Sequence, residues 1–203
     1  MTRTQRRAAA TRKAVVDAAR EIIVSEGPAA LTLEAVAERA DVAVQTIYNR
    51  VGGRSALLTS VAELAMEENR AYMDAAYEAE GTSEERLLLA ANAYVRFARE
   101  RPHEFRILVD PPNDPETLDR IAALIEEQNA KLADVLRDAV AEGTTRTDLE
   151  PEQISTVLWA TMNGLLALAW RADRLQTDAD GLDGLLATYV GTITDGLRRR
   201  AEP

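Results

Sequence analysis

The chain has 203 residues, a formal net charge of −10 at pH 7, no cysteine and a single histidine, His103. Without cysteine there is no disulfide scaffold or thiolate chemistry, and one histidine rules out multi-histidine metal centres, so neither a metal nor a cofactor is expected. Hydrophobic residues make up 46% and charged residues 29%, which suits a folded core rather than a disordered chain and leaves carboxylate chemistry as the enzymatic class still open.

Charge is uneven along the chain. Residues 1–60 carry +3 and residues 61–203 carry −13, so the two parts suit different partners. In the first twenty residues Arg3, Arg6, Arg7, Arg12, Lys13 and Arg20 face only Asp17; this stretch reads either as a solvated tail or as an arm drawn to phosphate. It does not read as a signal peptide, because Asp17, Arg20 and Glu21 interrupt the apolar run that follows. The most apolar window, 156–170, is shorter than the roughly 20 residues of a spanning helix and contains Thr161, Asn163 and Gly164. No membrane segment is expected, and the location expected is cytoplasmic.

Periodicity is helical nearly throughout, which predicts an all-α fold of about nine helices. The first spans about Thr11 to Glu26, with Val15, Ala18, Ala19, Ile22 and Ile23 on one face, and Gly27-Pro28 ends it. Thr32 is the expected N-cap of a short helix to Ala40, and a second short helix from about Val44 to Arg50 ends near Gly52-Gly53. Ser55 is the expected cap of a long helix reaching almost to Gly81. Thr82 and Glu85 have capping-box spacing before a helix with a Leu88, Ala91, Val95 and Ala98 stripe that ends at Pro102. After the loop 111–116, Asp114 and Pro115 have N-cap and N1 character for a helix striped by Leu118, Ile121, Ile125, Leu132, Val135 and Leu136 and closed by Gly143. Pro151 opens another helix. The last lies between about Asp180 and Arg200, with Arg198, Arg199 and Arg200 at the negative pole of its dipole.

Two short helices joined by a tight turn and preceded by a longer one are what a helix-turn-helix requires. Leu33, Val36, Ala37, Ala40, Val42 and Ile47 form its predicted core. With Ile47 inward, the outward side of the second helix carries Ala43, Val44, Gln45, Tyr48 and Asn49. Gln45 and Asn49 are amides suited to a base edge, and Ala43 and Val44 suit a thymine methyl. Thr32, Thr46, Tyr48, Arg50 and Arg54 supply hydroxyls and cations suited to phosphate. Each also has a plainer role, Thr32 as a cap and Tyr48 as a packed ring.

The stretch Thr32–Val51, with its Thr46-Ile47-Tyr48 triplet, and the following Gly52-Gly53-Arg54-Ser55-Ala56-Leu57-Leu58 resemble the DNA-binding domain of the TetR family of transcriptional repressors over about Thr11 to Val61. The resemblance implies phosphate contacts by Thr46, Tyr48 and Arg54. It departs from the family at Arg50-Val51, where His-Phe is common, and at Ala43, where Ser or Gly is common. Trp159-Ala160-Thr161-Met162-Asn163-Gly164 and Arg101-Pro102-His103-Glu104-Phe105-Arg106 resemble one TetR subgroup, with Asn163 in place of a histidine. An amide there does not change charge near neutral pH.

The residues beyond the helix-turn-helix suggest dimerisation and sensing. Two recognition helices held about 34–36 Å apart read a pseudo-palindrome that one cannot. Gly184 and Gly191 share a helix face with Leu185, Tyr189 and Ile193 near, and Val157, Thr161, Gly164, Leu165 and Leu168 lie on the preceding helix. Together they form a candidate four-helix interface or, alternatively, an intrachain seam; TetR-like proteins generally dimerise through their last two long helices. Tyr94, Phe97, His103, Phe105, Trp159, Met162 and Asn163 are the candidate effector contacts, most of which would also serve as core. The expected division is residues 1–54 for DNA binding, with a basic arm at 1–10, and 55–203 for effector binding and dimerisation. The expectation is a homodimeric repressor, without enzymatic activity, released from a double-stranded DNA operator by a small molecule. A helical carboxylate enzyme and an interaction module that has lost DNA binding are the alternatives.

Overall fold

The computed structural model describes residues 1–111 and 115–198. Among them are nine α-helices and no strand: α1 (Arg3–Glu26), α2 (Leu33–Arg39), α3 (Val44–Arg50), α4 (Arg54–Tyr77), α5 (Ser83–Glu100), α6 (Pro102–Val109), α7 (Pro115–Ala141), α8 (Pro151–Ala167) and α9 (Ala179–Leu197). Short 3-10 turns occur at Pro28–Ala30 and Leu168–Trp170. None of the described helices is long and apolar enough to cross a membrane. The expected N-cap Asp114 and the terminal Arg199 and Arg200 lie outside the described residues.

The helices gather into two compact units, Met1–Asn69 with Arg101–Leu124, and Arg70–Glu100 with the chain from Ile125 onward. In the first, α1 packs on α2 and α3. Its core includes Val15, Ala19, Ile22, Leu31, Val36, Ile47, Leu57 and Phe105, all sealed from solvent. The first part of α4 and all of α6 belong to this unit, so compact packing does not follow the functional division expected at residue 54.

Three boundaries differ from expectation, each for a local reason. Helix α1 starts at Arg3, not near Thr11, because Thr2 and Gln5 form a capping box: the Gln5 N–H donates to Thr2 Oγ1 at 3.2 Å and the Thr2 N–H to Gln5 Oε1 at 2.7 Å. Ala8-Ala9-Ala10 then carries the helix on intrinsic propensity alone. Residues 3–10 are thus helical rather than a loose tail, with Arg3, Arg6 and Arg7 exposed. Helix α4 starts at Arg54, and its first backbone bond runs from the Leu57 N–H to the Gly53 carbonyl at 3.1 Å, which puts Ser55 inside the helix instead of at its cap. Helix α9 starts at Ala179, capped by Asp178, whose carboxylate accepts from the Gly181 N–H at 2.9 Å, and it ends at Leu197 with Arg198 as C-cap.

In the second unit Met73, Ala76 and Tyr77 of α4, Ala90 and Ala93 of α5 and Val135 of α7 form one buried cluster, with Leu87, Tyr94 and Leu132 packed against it. The buried face of α5 is therefore rotated from the Leu88, Ala91, Val95 and Ala98 stripe expected. Leu88 and Leu89 are 37% and 44% exposed, while Ala90, Ala93, Phe97 and Ala98 are buried. Three consecutive leucines leave the phase of this helix ambiguous in sequence, and small alanines set it by allowing close approach.

Candidate nucleic-acid interface

Thr32 caps α2, its hydroxyl accepting from the Ala35 N–H at 3.1 Å. The far end of α2 closes in a Schellman motif: the Asp41 N–H donates to the Glu38 carbonyl at 3.3 Å and the Val42 N–H to the Ala37 carbonyl at 3.0 Å. Asp41 pays for this with φ of 51°, a left-handed conformation that favours glycine. Asp41→Gly is expected to stabilise the protein by about 1 kcal/mol, and Asp41→Val to destabilise it by at least as much. Chemical denaturation reads both, and a loss with glycine would show that the aspartate side chain itself holds the turn.

The turn delivers the chain to α3, which buries one residue completely, Ile47. Opposite it, Ala43, Gln45, Tyr48, Asn49 and Arg50 are exposed, and Val44 and Thr46 are half-buried. The two amides are coupled: Gln45 Nε2 donates to Asn49 Oδ1 at 3.2 Å. They present one shared amide edge, with the Gln45 carbonyl and the Asn49 amide nitrogen left to face a partner. Tyr48 is 53% exposed, and its ring lies over Gly53, 3.8 Å from where a Cβ would stand. Gly52 closes α3 with φ of 121°, where a Cβ would meet Ala56 at 2.9 Å, so only glycine fits.

Arg54 has a role the sequence does not disclose. Its Nε donates to the Leu31 carbonyl at 2.9 Å and its Nη2 to the Pro28 carbonyl at 2.9 Å, tying the start of α4 to the α1–α2 connection. Backbone carbonyls leave no sequence signature, so this clamp has no signal in residue types. The remaining guanidinium donors stay available for phosphate.

The scaffold behind the site also contains an ion cluster that spacing did not predict. Arg20 of α1 reaches Glu104 Oε1 through Nε at 2.9 Å and Nη2 at 2.8 Å, and Glu68 at 2.8 Å. Burial works against the charge of Arg20, but its hydrogen bond to Glu104 and the charges of Glu68 and Glu104 outweigh it, so the guanidinium pKa moves further above its ordinary value.

The candidate effector residues fall in both units. In the second, the Tyr94 hydroxyl donates to Asn163 Oδ1 at 2.7 Å and also bonds Trp159; burial, the largest influence, nevertheless drives its pKa well above the ordinary tyrosine value. Phe97 is sealed, edge-on to Tyr72 at 5.5 Å between centroids, and Met162 is buried. His103, half-buried, and Phe105, sealed, belong to the first unit. Of the candidate interface residues, Val157 and Leu185 are 55% and 39% exposed. Thr161, Gly164, Gly184 and Gly191 are exposed, and Leu165, Leu168, Tyr189 and Ile193 are half-buried. Among the described residues, a Cβ at Gly164, Gly184 or Gly191 would meet nothing within 4 Å, so no approach of a described neighbour explains these glycines. Tyr189 links the last two helices, its hydroxyl donating to the Leu158 carbonyl at 3.1 Å.

A capped short helix, a tight turn and a second short helix buried on one side and open on the other define a helix-turn-helix protein. Residues 15–61 match the family model for bacterial regulatory proteins of the tetR family, and residues 87–191, just over half of the chain, match the tetracyclin repressor-like C-terminal domain. No curated protein matches the chain. Among solved structures, it is similar to a protein of unknown function from Rhodococcus sp. RHA1 (TM-score 0.76, 22% identity, 93% of this chain and 96% of that one). It is also similar to a bacterial regulatory protein in the tetR family from Rhodococcus RHA1 (0.70, 16%, 94% and 98%), and to the fatty acid degradation regulator FadR from Bacillus halodurans (0.76, 17%, 94% and 97%). At these identities the likeness is one of fold. The chain belongs to the TetR family and is a DNA-binding transcriptional regulator.

Proposed function

We propose that this protein is a cytoplasmic homodimeric repressor that holds an inverted-repeat operator through two copies of α3 and is released by a small molecule bound in its C-terminal part. The observation that carries the reading is the open face of α3, where a coupled Gln45–Asn49 amide edge stands opposite a sealed Ile47. In this reading residues 1–54 read DNA and residues 55–203 bind effector and partner. Gln45 and Asn49 meet base edges, Ala43 and Val44 meet apolar groove contacts, and Thr32, Thr46, Tyr48, Arg50 and Arg54 hold phosphates. The helical basic arm adds sequence-independent attraction. The second copy is seated on α8 and α9, a choice supported by glycines that no neighbour among the described residues explains. Selection of bound fragments from random duplex DNA tests the reading; enrichment of a two-fold symmetric motif is the expected result, and no enrichment rejects it.

Arg54 separates attraction from architecture. Arg54→Ala is expected to weaken binding to operator and unrelated duplex alike, to reduce the slope of log affinity against log salt by about one, and to lower stability by freeing two carbonyls. Arg54→Lys keeps the charge but not the two-carbonyl fork, so it should keep the salt slope and lose the stability. Gel-shift titration across salt with parallel thermal melts reads both, and an unchanged slope in Arg54→Ala removes Arg54 from the interface.

A further inference from the structure

In the second compact unit, Gln128 of α7 is only 8% exposed, and its amide oxygen and nitrogen are both sealed from solvent without a hydrogen-bond partner among the described residues. Two ion pairs place it. Arg70 with Glu127 and Asp74 with Lys131, the latter at 2.7 Å, bring residues 127–131 of α7 alongside residues 70–74 of α4. Gln128 falls within that stretch of α7, one turn before Leu132, which packs against the Met73, Tyr77 and Val135 cluster. In Arg70, Nη2 is held by Glu127, while Nε is buried without a partner among the described residues.

Buried polar groups almost always have partners, and leaving them without one is destabilising. An apolar side chain of similar size at position 128 would avoid that penalty, so glutamine here works against the stability of the unliganded fold. The Gln128 side chain offers amide N–H groups and one carbonyl oxygen on adjacent atoms. Their complement is a group that accepts and donates at adjacent atoms. A carboxylate brings no donor for Gln128 Oε1, and the charge of Arg70 is already answered by Glu127; an ester also lacks a donor.

We propose that Gln128 reads the head group of the effector, and that this head group is a neutral primary carboxamide or protonated carboxylic acid. The inference rests on the effector reading given above and makes it chemical: the rest of the ligand is apolar, as Leu132 and Met73 require.

The test uses the full-length protein. Gln128→Leu is expected to raise the melting temperature by about 2–4 °C. A lower melting temperature would mean that the amide is already satisfied in the folded protein, by an enclosed water for instance, and the proposal falls. Glutamine side-chain resonances of nitrogen-labelled protein, with Gln128 assigned by its disappearance in Gln128→Leu, are then followed during titration with hexanamide and with methyl hexanoate. Hexanamide should move the Gln128 signals and the ester should not; silence with hexanamide, or an equal response to the ester, overturns the assignment. Operator release is measured separately by gel shift. Binding at Gln128 without release upholds the head-group assignment and removes only the release step from the effector reading.

Discussion

Replacing Arg20 with methionine is expected to destabilise the protein by about 3–5 kcal/mol and to lower operator affinity with it. The effect comes from what is left behind. Glu104 is 5% exposed, and Arg20 holds it through two nitrogens. Without the guanidinium, a carboxylate stays buried with its charge unmet, which native stabilities of about 5–15 kcal/mol absorb poorly. Glu68 is less exposed to this loss, since Arg101 lies 3.5 Å away. Because the Arg20 side chain is 26% exposed, solvent screens part of the interaction and the lower end of the range is the better expectation. Adding Glu104→Leu to Arg20→Met should restore most of the loss, because an apolar pair replaces a buried ion pair with little penalty. Urea denaturation of the two variants decides the matter. A single substitution that shifts stability by less than about 1 kcal/mol would show that water already solvates Glu104.

The recognition elements were legible because their determinants are local. Thr32 as a cap and burial at Val36, Ala37 and Ile47 follow from residue type and spacing, and α2 and α3 run as those features predict. The early start of α1 was not legible from periodicity, since its first turns bury nothing and rest on a capping box and alanines. The face of α5 was not legible either, because the Leu87-Leu88-Leu89 run satisfies several phases and tertiary contact selects one. Arg54 shows the limit most clearly: its positive charge pointed to phosphate, while its grip on two backbone carbonyls depends on where another connection happens to pass. For the effector residues, aromatic identity was visible in sequence, but their division between two compact units was not. Gln128 carries no signal in the sequence, because a glutamine within a helix reads as a solvated residue until its burial is known.

Gly191→Trp is expected to leave each protomer folded and to separate the dimer. Among the described residues, nothing beyond its own stretch of helix lies within 4 Å of a Cβ added at this position, so the described fold offers no resistance there, and replacing glycine in a helix even favours the helix by up to about 1 kcal/mol. In the proposed dimer the resistance comes from the second copy, whose close helix approach would account for Gly164, Gly184 and Gly191 lacking side chains. A monomer engages one half-site at a time and forfeits the effective concentration that joins two. Affinity for the full operator should then fall by about 10²–10⁴ while affinity for an isolated half-site stays unchanged. Sedimentation equilibrium and gel shifts on full and half operators read the two effects separately. The exposed Leu88 and Leu89 of α5 provide the counter-test. If Gly191→Trp remains dimeric and Leu88→Glu with Leu89→Glu does not, the partner sits on α5, because only an interface covering those leucines would make two surface charges there disruptive.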